Sequence, residues 1–100
     1  MGREFYKSRR WGKKREKILR RDEYRCRECT RYGKSVPATT VHHCNPLEHA
    51  PELALASWNL VSMCGSCHDS LHDRKTNVLT EAGERWRDWA NKAGEAERHG

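Results

Sequence analysis

Apolar material is scarce in this chain. One phenylalanine, two methionines and three prolines are spread over 100 residues, and 35% of the chain is hydrophobic against 34% charged. No run is long and apolar enough to cross a bilayer, which argues against a helical membrane protein. The stretch Met1-Gly2-Arg3-Glu4-Phe5-Tyr6-Lys7 lacks the apolar segment of a secretory signal. The expected location is therefore a reducing cytoplasm, where cysteines bind metal more often than they pair. Five cysteines, an odd number, also fit poorly with a closed disulfide framework. What remains is one small domain with a thin core, the kind that needs a metal or another staple to stay folded.

Charge is abundant and unevenly placed. Residues 1–34 hold 14 of the 20 Lys/Arg and five of the 14 Asp/Glu, a local net of +9, whereas the remaining 66 residues carry a net of −3. A basic arm on a near-neutral body suits a polyanion, and Phe5, Tyr6 and Trp11 are interleaved with the charge. The plainer alternative is a solvated tail that aids solubility.

Neither an internal repeat nor a low-complexity tract is present. Residues 1–10 read as an adaptable arm. From Trp11 to Asp22 helix formers dominate, with Trp11, Ile18 and Asp22 on one face, joined by Lys14 and the stem of Arg15. Tyr24 to Gly33 contains Cys26 and Cys29 and ends in a glycine suited to a tight turn. Val36–Val41 reads as a strand, Leu53–Ser57 as a short helical turn, Leu60–Met63 as a second strand and Cys67–Arg74 as a helix. The closing helix has Thr80 as N-cap and Glu81 in its first turn, with Gly94 suited to end it. Within it, Ala82, Trp86, Trp89 and Ala93 recur at helical spacing, which makes both tryptophans core anchors in preference to base-stacking groups.

Two Cys-x-x-Cys pairs, Cys26/Cys29 and Cys64/Cys67, carry the first chemical signal. Each turn directs two sulfurs to one point, and two such knuckles complete a tetrahedron around Zn²⁺. A closed Cys₄ set leaves no vacancy for chemistry, so this zinc is structural, and its binding free energy becomes folding free energy. A redox role for either pair fits poorly, since no thioredoxin-like βαβ pattern surrounds them. Cys44 is left over as a packed or free thiol.

The second signal is histidine. His42, His43, His49, His68 and His72 fall within 31 positions, and His99 lies apart in the tail. His42 and His43 end the first expected strand, where adjacent side chains point to opposite sides. His68 and His72 are four apart on the expected helix, so they share a face and can grip one ion. His49 reads as a plain loop residue.

Val41-His42-His43, then Trp58-Asn59-Leu60, then Cys64-Gly65-Ser66-Cys67-His68-Asp69-Ser70-Leu71-His72 resembles the HNH endonuclease signature. The likeness is greatest to small phage-type members that carry two Cys-x-x-Cys knuckles, and it covers roughly residues 24–74. It implies an α+β fold: a ββα-metal finger with a structural Cys₄ zinc site and flanking N- and C-terminal helices. By position, His43 matches the general base that takes a proton from the attacking water. His42 and His68 match ligands of a catalytic divalent ion (Mg²⁺, Mn²⁺, Ni²⁺ or Zn²⁺). His72 lies where colicin-type members carry a further metal-binding histidine. Asn59 matches the asparagine that orients the intervening loop and the base through hydrogen bonds. At the position of His42 the family often has an aspartate, and a nitrogen-rich set favours Zn²⁺, Ni²⁺ or Co²⁺ over Mg²⁺.

The residues also satisfy the chemistry without the family. Phosphodiester hydrolysis needs a base near neutral pH, which a neutral imidazole supplies, and a cation to meet charge on phosphate and leaving oxygen. The sequence thus divides into a basic arm and helix (1–23), a nuclease core (24–74) and a C-terminal helix and tail (75–100). The expected activity is metal-dependent cleavage of DNA, by analogy in phage genome packaging beside terminase subunits in the host cytoplasm. Two alternatives stay open: a non-catalytic zinc-binding adaptor for nucleic acid or protein, and an RNA nuclease using the same site.

Overall fold

Hydrogen-bond competition at the chain's turns decides where each element starts and stops. The computed structural model describes residues 2–99. A short helix, α1 (Gly2–Tyr6), leads into α2 (Arg9–Arg21). The hydroxyl of Ser8 caps α2 by accepting the Trp11 N–H at 3.1 Å. Residues 2–6 are thus not the adaptable arm expected from composition. The Phe5 ring sits 5.2 Å from that of Trp11, and this aromatic packing holds α1 against α2.

The two Cys-x-x-Cys segments share one local geometry. Cys26 precedes α3 (Arg27–Arg31) and its sulfur accepts the Cys29 N–H, while Cys64 precedes α4 (Gly65–Asp69) and accepts the Cys67 N–H, both at 3.5 Å. In each, the first cysteine caps a single helical turn that carries the second. Gly33, at φ +76°, lets the chain turn back after α3.

β1 (Thr40–His43) and β2 (Leu60–Met63) form a two-stranded antiparallel ribbon that pairs Thr40 with Met63 and His43 with Leu60. β1 begins later than the expected Val36–Val41. The Val36 carbonyl accepts the Cys26 N–H and the Ala38 N–H reaches the Tyr24 carbonyl, so this stretch pairs with the first knuckle instead. Between the strands, one-turn 3₁₀ helices at Pro51–Leu53 and Ser57–Asn59 replace the expected turn at Leu53–Ser57.

The expected helix over Cys67–Arg74 stops at Asp69. Beyond it the chain folds into a hairpin that takes its backbone groups: the Thr80 hydroxyl and N–H donate to the Ser70 and Leu71 carbonyls, the Asp73 N–H donates to the Val78 carbonyl, and the Asp73 carboxylate accepts the N–H groups of Lys75 and Thr76 in an Asx turn at the tip. His72 therefore lies beyond α4, in an isolated bridge with Leu79. The last helix, α5 (Glu81–His99), is capped by Thr80, whose hydroxyl accepts the Gly83 N–H. Gly94 does not end it. A Cβ there would come within 2.8 Å of the Trp58 indole, so glycine serves close packing. The side chain of His99 lies outside those described.

The ribbon divides the core by its period of two. Val41 and Leu60 pack with Trp11, Ile18 and Leu19 of α2. Val61, Met63 and Cys44 face the other way, toward Leu71, Trp86 and Ala90. Each fully buried aliphatic side chain is worth about 1.5–3 kcal/mol. Trp86 is such an anchor, and its indole N–H donates to buried Glu28 of α3. Trp89 departs from expectation: at 37% exposure it lies on the rim, under the Arg27 guanidinium.

Asp22 ties α2 to the ribbon. Its buried carboxylate accepts the Ser62 N–H at 3.0 Å and bonds to Arg21 and Arg27. Burial alone would raise its pKa, but the bonds from Arg21 and Ser62 and the Arg21 charge outweigh burial and hold it below the usual carboxylate value. A depressed folded-state pKa gives stability that is full above the unfolded value and lost as pH falls through the folded one. Asp22→Asn is expected to cost about 1–3 kcal/mol at pH 7. In urea unfolding followed from pH 7 down through the carboxylate range, the parent's advantage should shrink as Asp22 protonates. A deficit independent of pH would contradict this account.

Candidate functional site

The four knuckle sulfurs converge. Those of Cys26, Cys29, Cys64 and Cys67 all lie within 4.8 Å of one another, with Cys29 at 3.9 Å from Cys64 and 3.6 Å from Cys67. A tetrahedral zinc with bonds of about 2.3 Å puts its sulfurs about 3.8 Å apart, so the donor set fits that ion. Cys44 stands apart: burial pushes its thiol up to about 12 and it packs as a small apolar residue.

On the ribbon, the adjacent histidines point to opposite sides. His42 faces α4 and the segment after it, with its ring centroid 5.3 Å from His68 and 5.4 Å from His72. One ring nitrogen from each of the three lies within 4.8 Å of the others. His72 reaches this cluster although it is off the helix, because its bridge to Leu79 holds it beside α4. The His42 imidazole is 2% exposed and its Nε2 has no hydrogen-bond partner. A buried polar atom left bare costs about 1–3 kcal/mol, which a coordinated cation relieves. Burial, then the nearby His68 and His72, then His43, lower the His42 pKa to about 3. Burial and His72 also lower that of His68. His42 is thereby held as neutral imidazole, the form that donates a lone pair to metal. Three donors fit a divalent ion and leave coordination positions for water and substrate.

His43 points toward α2. Its ring stacks on Trp11 with centroids 5.0 Å apart, and Phe5 and Tyr6 approach within 6.0 Å. Its Nε2 lies 3.1 Å from the Ala54 carbonyl oxygen and its Nδ1 lies 3.5 Å from the Tyr6 hydroxyl. A carbonyl only accepts, so Nε2 carries the proton and Nδ1 keeps the lone pair. Burial lowers the His43 pKa, in part against the Ala54 bond, which keeps that lone pair available near neutral pH.

Asn59 is wholly buried beneath the inter-strand loop. Its Oδ1 accepts both the backbone N–H and the side-chain amide of Asn45 at 2.8 Å, and its Nδ2 donates to the Asn45 and Leu53 carbonyls at 3.3 Å. Leu53 precedes Ala54, so this network fixes the carbonyl that orients His43. One cavity of about 1000 Å³ is lined by His42, His43, His68 and His72. Exposed His49 is not among its lining residues. Sequence reasoning missed the roles of Tyr6, Asn45 and Ala54 around His43. Only the spacing of aromatic residues in the basic segment hinted at the first.

The profile of the HNH endonuclease family matches residues 26–74. A solved structure, that of the HNH endonuclease of the deep-sea thermophilic bacteriophage GVE2 with manganese ion, resembles the chain with a TM-score of 0.66 at 28% identity, covering 99% of this chain and 86% of that one. Curated proteins give no match. No helix of the described residues is long and apolar enough to cross a membrane.

The cysteine site carries a stability prediction. Purified protein is expected to hold zinc, and Cys29→Ser should lose it and unfold well below the parent's melting temperature. Elemental analysis paired with thermal unfolding checks both. A zinc-free parent with the same melting temperature would contradict the structural role.

Proposed function

We propose, from the premise that this chain belongs to the HNH endonuclease family, that it hydrolyses phosphodiester bonds of DNA with His43 as general base. His42, His68 and His72 would hold the divalent ion. Cys26, Cys29, Cys64 and Cys67 would hold a structural zinc. The observation that carries this reading is the placement of His43 and the three-histidine cluster on one cavity, from opposite faces of one short ribbon. Its endonuclease class sets aside the adaptor alternative. The core is taken as residues 24–74, with 1–23 and 75–100 as flanking helical units.

Water is the nucleophile. Its oxygen bonds to phosphorus as the P–O3′ bond breaks, and its proton passes to Nδ1 of His43. The products are a 5′-phosphate and a 3′-hydroxyl, whose oxygen takes a proton from solvent. A divalent ion supplies a counter-charge for the phosphate and the leaving oxygen. The rest is positioning. The Ala54 carbonyl fixes the His43 tautomer, stacking on Trp11 fixes the ring plane, and Asn59 acts as a positioning residue by fixing the loop that carries Ala54. A base held in its reactive tautomer spends no reorganisation during proton transfer. The basic N-terminal segment, net +9 over residues 1–34, supports the choice of a nucleic acid. Likeness to a bacteriophage nuclease supports a phage setting, and by family analogy the place proposed there is DNA packaging beside terminase subunits in the host cytoplasm.

Supercoiled plasmid with added Mn²⁺ should be nicked by the parent and spared in EDTA. His43→Ala should lower the rate about 10²–10⁴-fold, the scale of general-base catalysis. Cleavage at the parent's rate by His43→Ala would reject His43 as the base.

A further inference from the structure

The cavity that holds the four histidines is lined by a single Lys or Arg among the described residues, Arg15. We infer that the Arg15 guanidinium binds the non-bridging oxygens of the phosphodiester being cut, a role that rests on the nuclease reading above. Arg15 follows Trp11 by four residues on α2, which places it one helical turn along from the ring that stacks on His43. It is half-buried at the cavity wall, and one nitrogen is spent on the Thr39 carbonyl at 3.0 Å. That bond uses one or two of five N–H donors and anchors the side chain at the entrance to β1.

Its basic neighbours are engaged elsewhere. Lys14 donates to the Ser57 hydroxyl, and Arg21 is spent on Asp22 and the carbonyls of Ser57 and Leu60. Arg9, Lys13, Lys17 and Arg20 line a separate shallow surface on α2. A duplex can lean on that surface, but it does not form part of the histidine cavity. Among the described residues that line the cavity the one carboxylate, Glu48, accepts the Asn77 side-chain amide at 2.7 Å. The histidine cluster supplies neutral donors, so Arg15 is the chain's own fixed positive charge in the cavity. A planar guanidinium fork matches two phosphate oxygens and keeps its charge at any working pH.

The test compares the parent with Arg15→Gln in Mn²⁺ on two substrates. One is plasmid DNA. The other is thymidine 5′-p-nitrophenyl phosphate, a diester too small to span both the cavity and the outer basic surface. Arg15→Gln should lower kcat/KM on the small diester by about 10–10³-fold, the scale of removing one charge-stabilising donor. It should also raise the inhibition constant for inorganic phosphate about tenfold, the scale of one lost charged hydrogen bond. Mn²⁺ affinity, zinc content and melting temperature should match the parent. Parent-like kcat/KM in the variant, or a loss with the phosphate inhibition constant unchanged, overturns the assignment. If Arg15→Gln fails to fold, Arg15→Lys carries the test, since its ammonium keeps a donor for Thr39. It should lose activity on the small diester with weaker phosphate inhibition, for want of the planar fork, and parent-like values there overturn the proposal. A parent inactive on both substrates overturns instead the nuclease reading on which it rests.

Discussion

The convergence of four thiols on one point is the constraint on which the rest of the structure depends. Two one-turn helices, α3 and α4, are each too short to persist alone. They are brought together because Cys26, Cys29, Cys64 and Cys67 all lie within 4.8 Å of one another. His68 directly follows Cys67, so whatever fixes that sulfur fixes the imidazole beside His42. In a chain with so few apolar residues, the binding energy of an ion at the thiols would do work that a larger core would otherwise do. Loss of that tie would therefore disturb the histidine cluster before it disturbed the packing of α2.

The second organising feature is the pleat of the ribbon. Alternation sends His42 toward α4 and His43 toward α2, so two imidazoles adjacent in sequence meet different surroundings. His42 is buried among other histidines with a bare Nε2, suited to a cation. His43 is held between a carbonyl and an aromatic wall, with the lone pair of its Nδ1 met only by the Tyr6 hydroxyl at 3.5 Å, suited to proton transfer. The division of labour proposed for the site follows from the side-chain period of a strand and from what packs on each face.

Much of this was legible in the sequence because its signals are local. Cysteine spacing predicted the knuckles, and the four sulfurs do converge. The second strand, Leu60–Met63, and the start of the last helix at Thr80 stand where the residues place them. Other features were not local. Val36–Val41 reads as one strand, but the backbone partners of Val36 and Ala38 are Cys26 and Tyr24, which no pattern reveals. Residues 70–73 pair with 78–80 instead of continuing α4, and Gly94 proved to be a contact for Trp58 instead of a helix stop. The aromatic cluster of Phe5, Tyr6 and Trp11 on His43, like the Asn45–Asn59 network, joins residues that meet only after folding. Segments 14 to 38 residues apart carry no periodic signal of their association.

The central claim is that one small domain keeps two metal sites with different tasks, a closed one of sulfur and an open one of nitrogen. The most direct measurement is anomalous diffraction from crystals grown with Mn²⁺, recorded at the zinc and manganese edges. The account predicts zinc among Cys26, Cys29, Cys64 and Cys67. It predicts manganese bound by His42, His68 and His72 with its remaining positions taken by water. A histidine site that binds no ion, or one whose positions are all filled by protein groups, would contradict it.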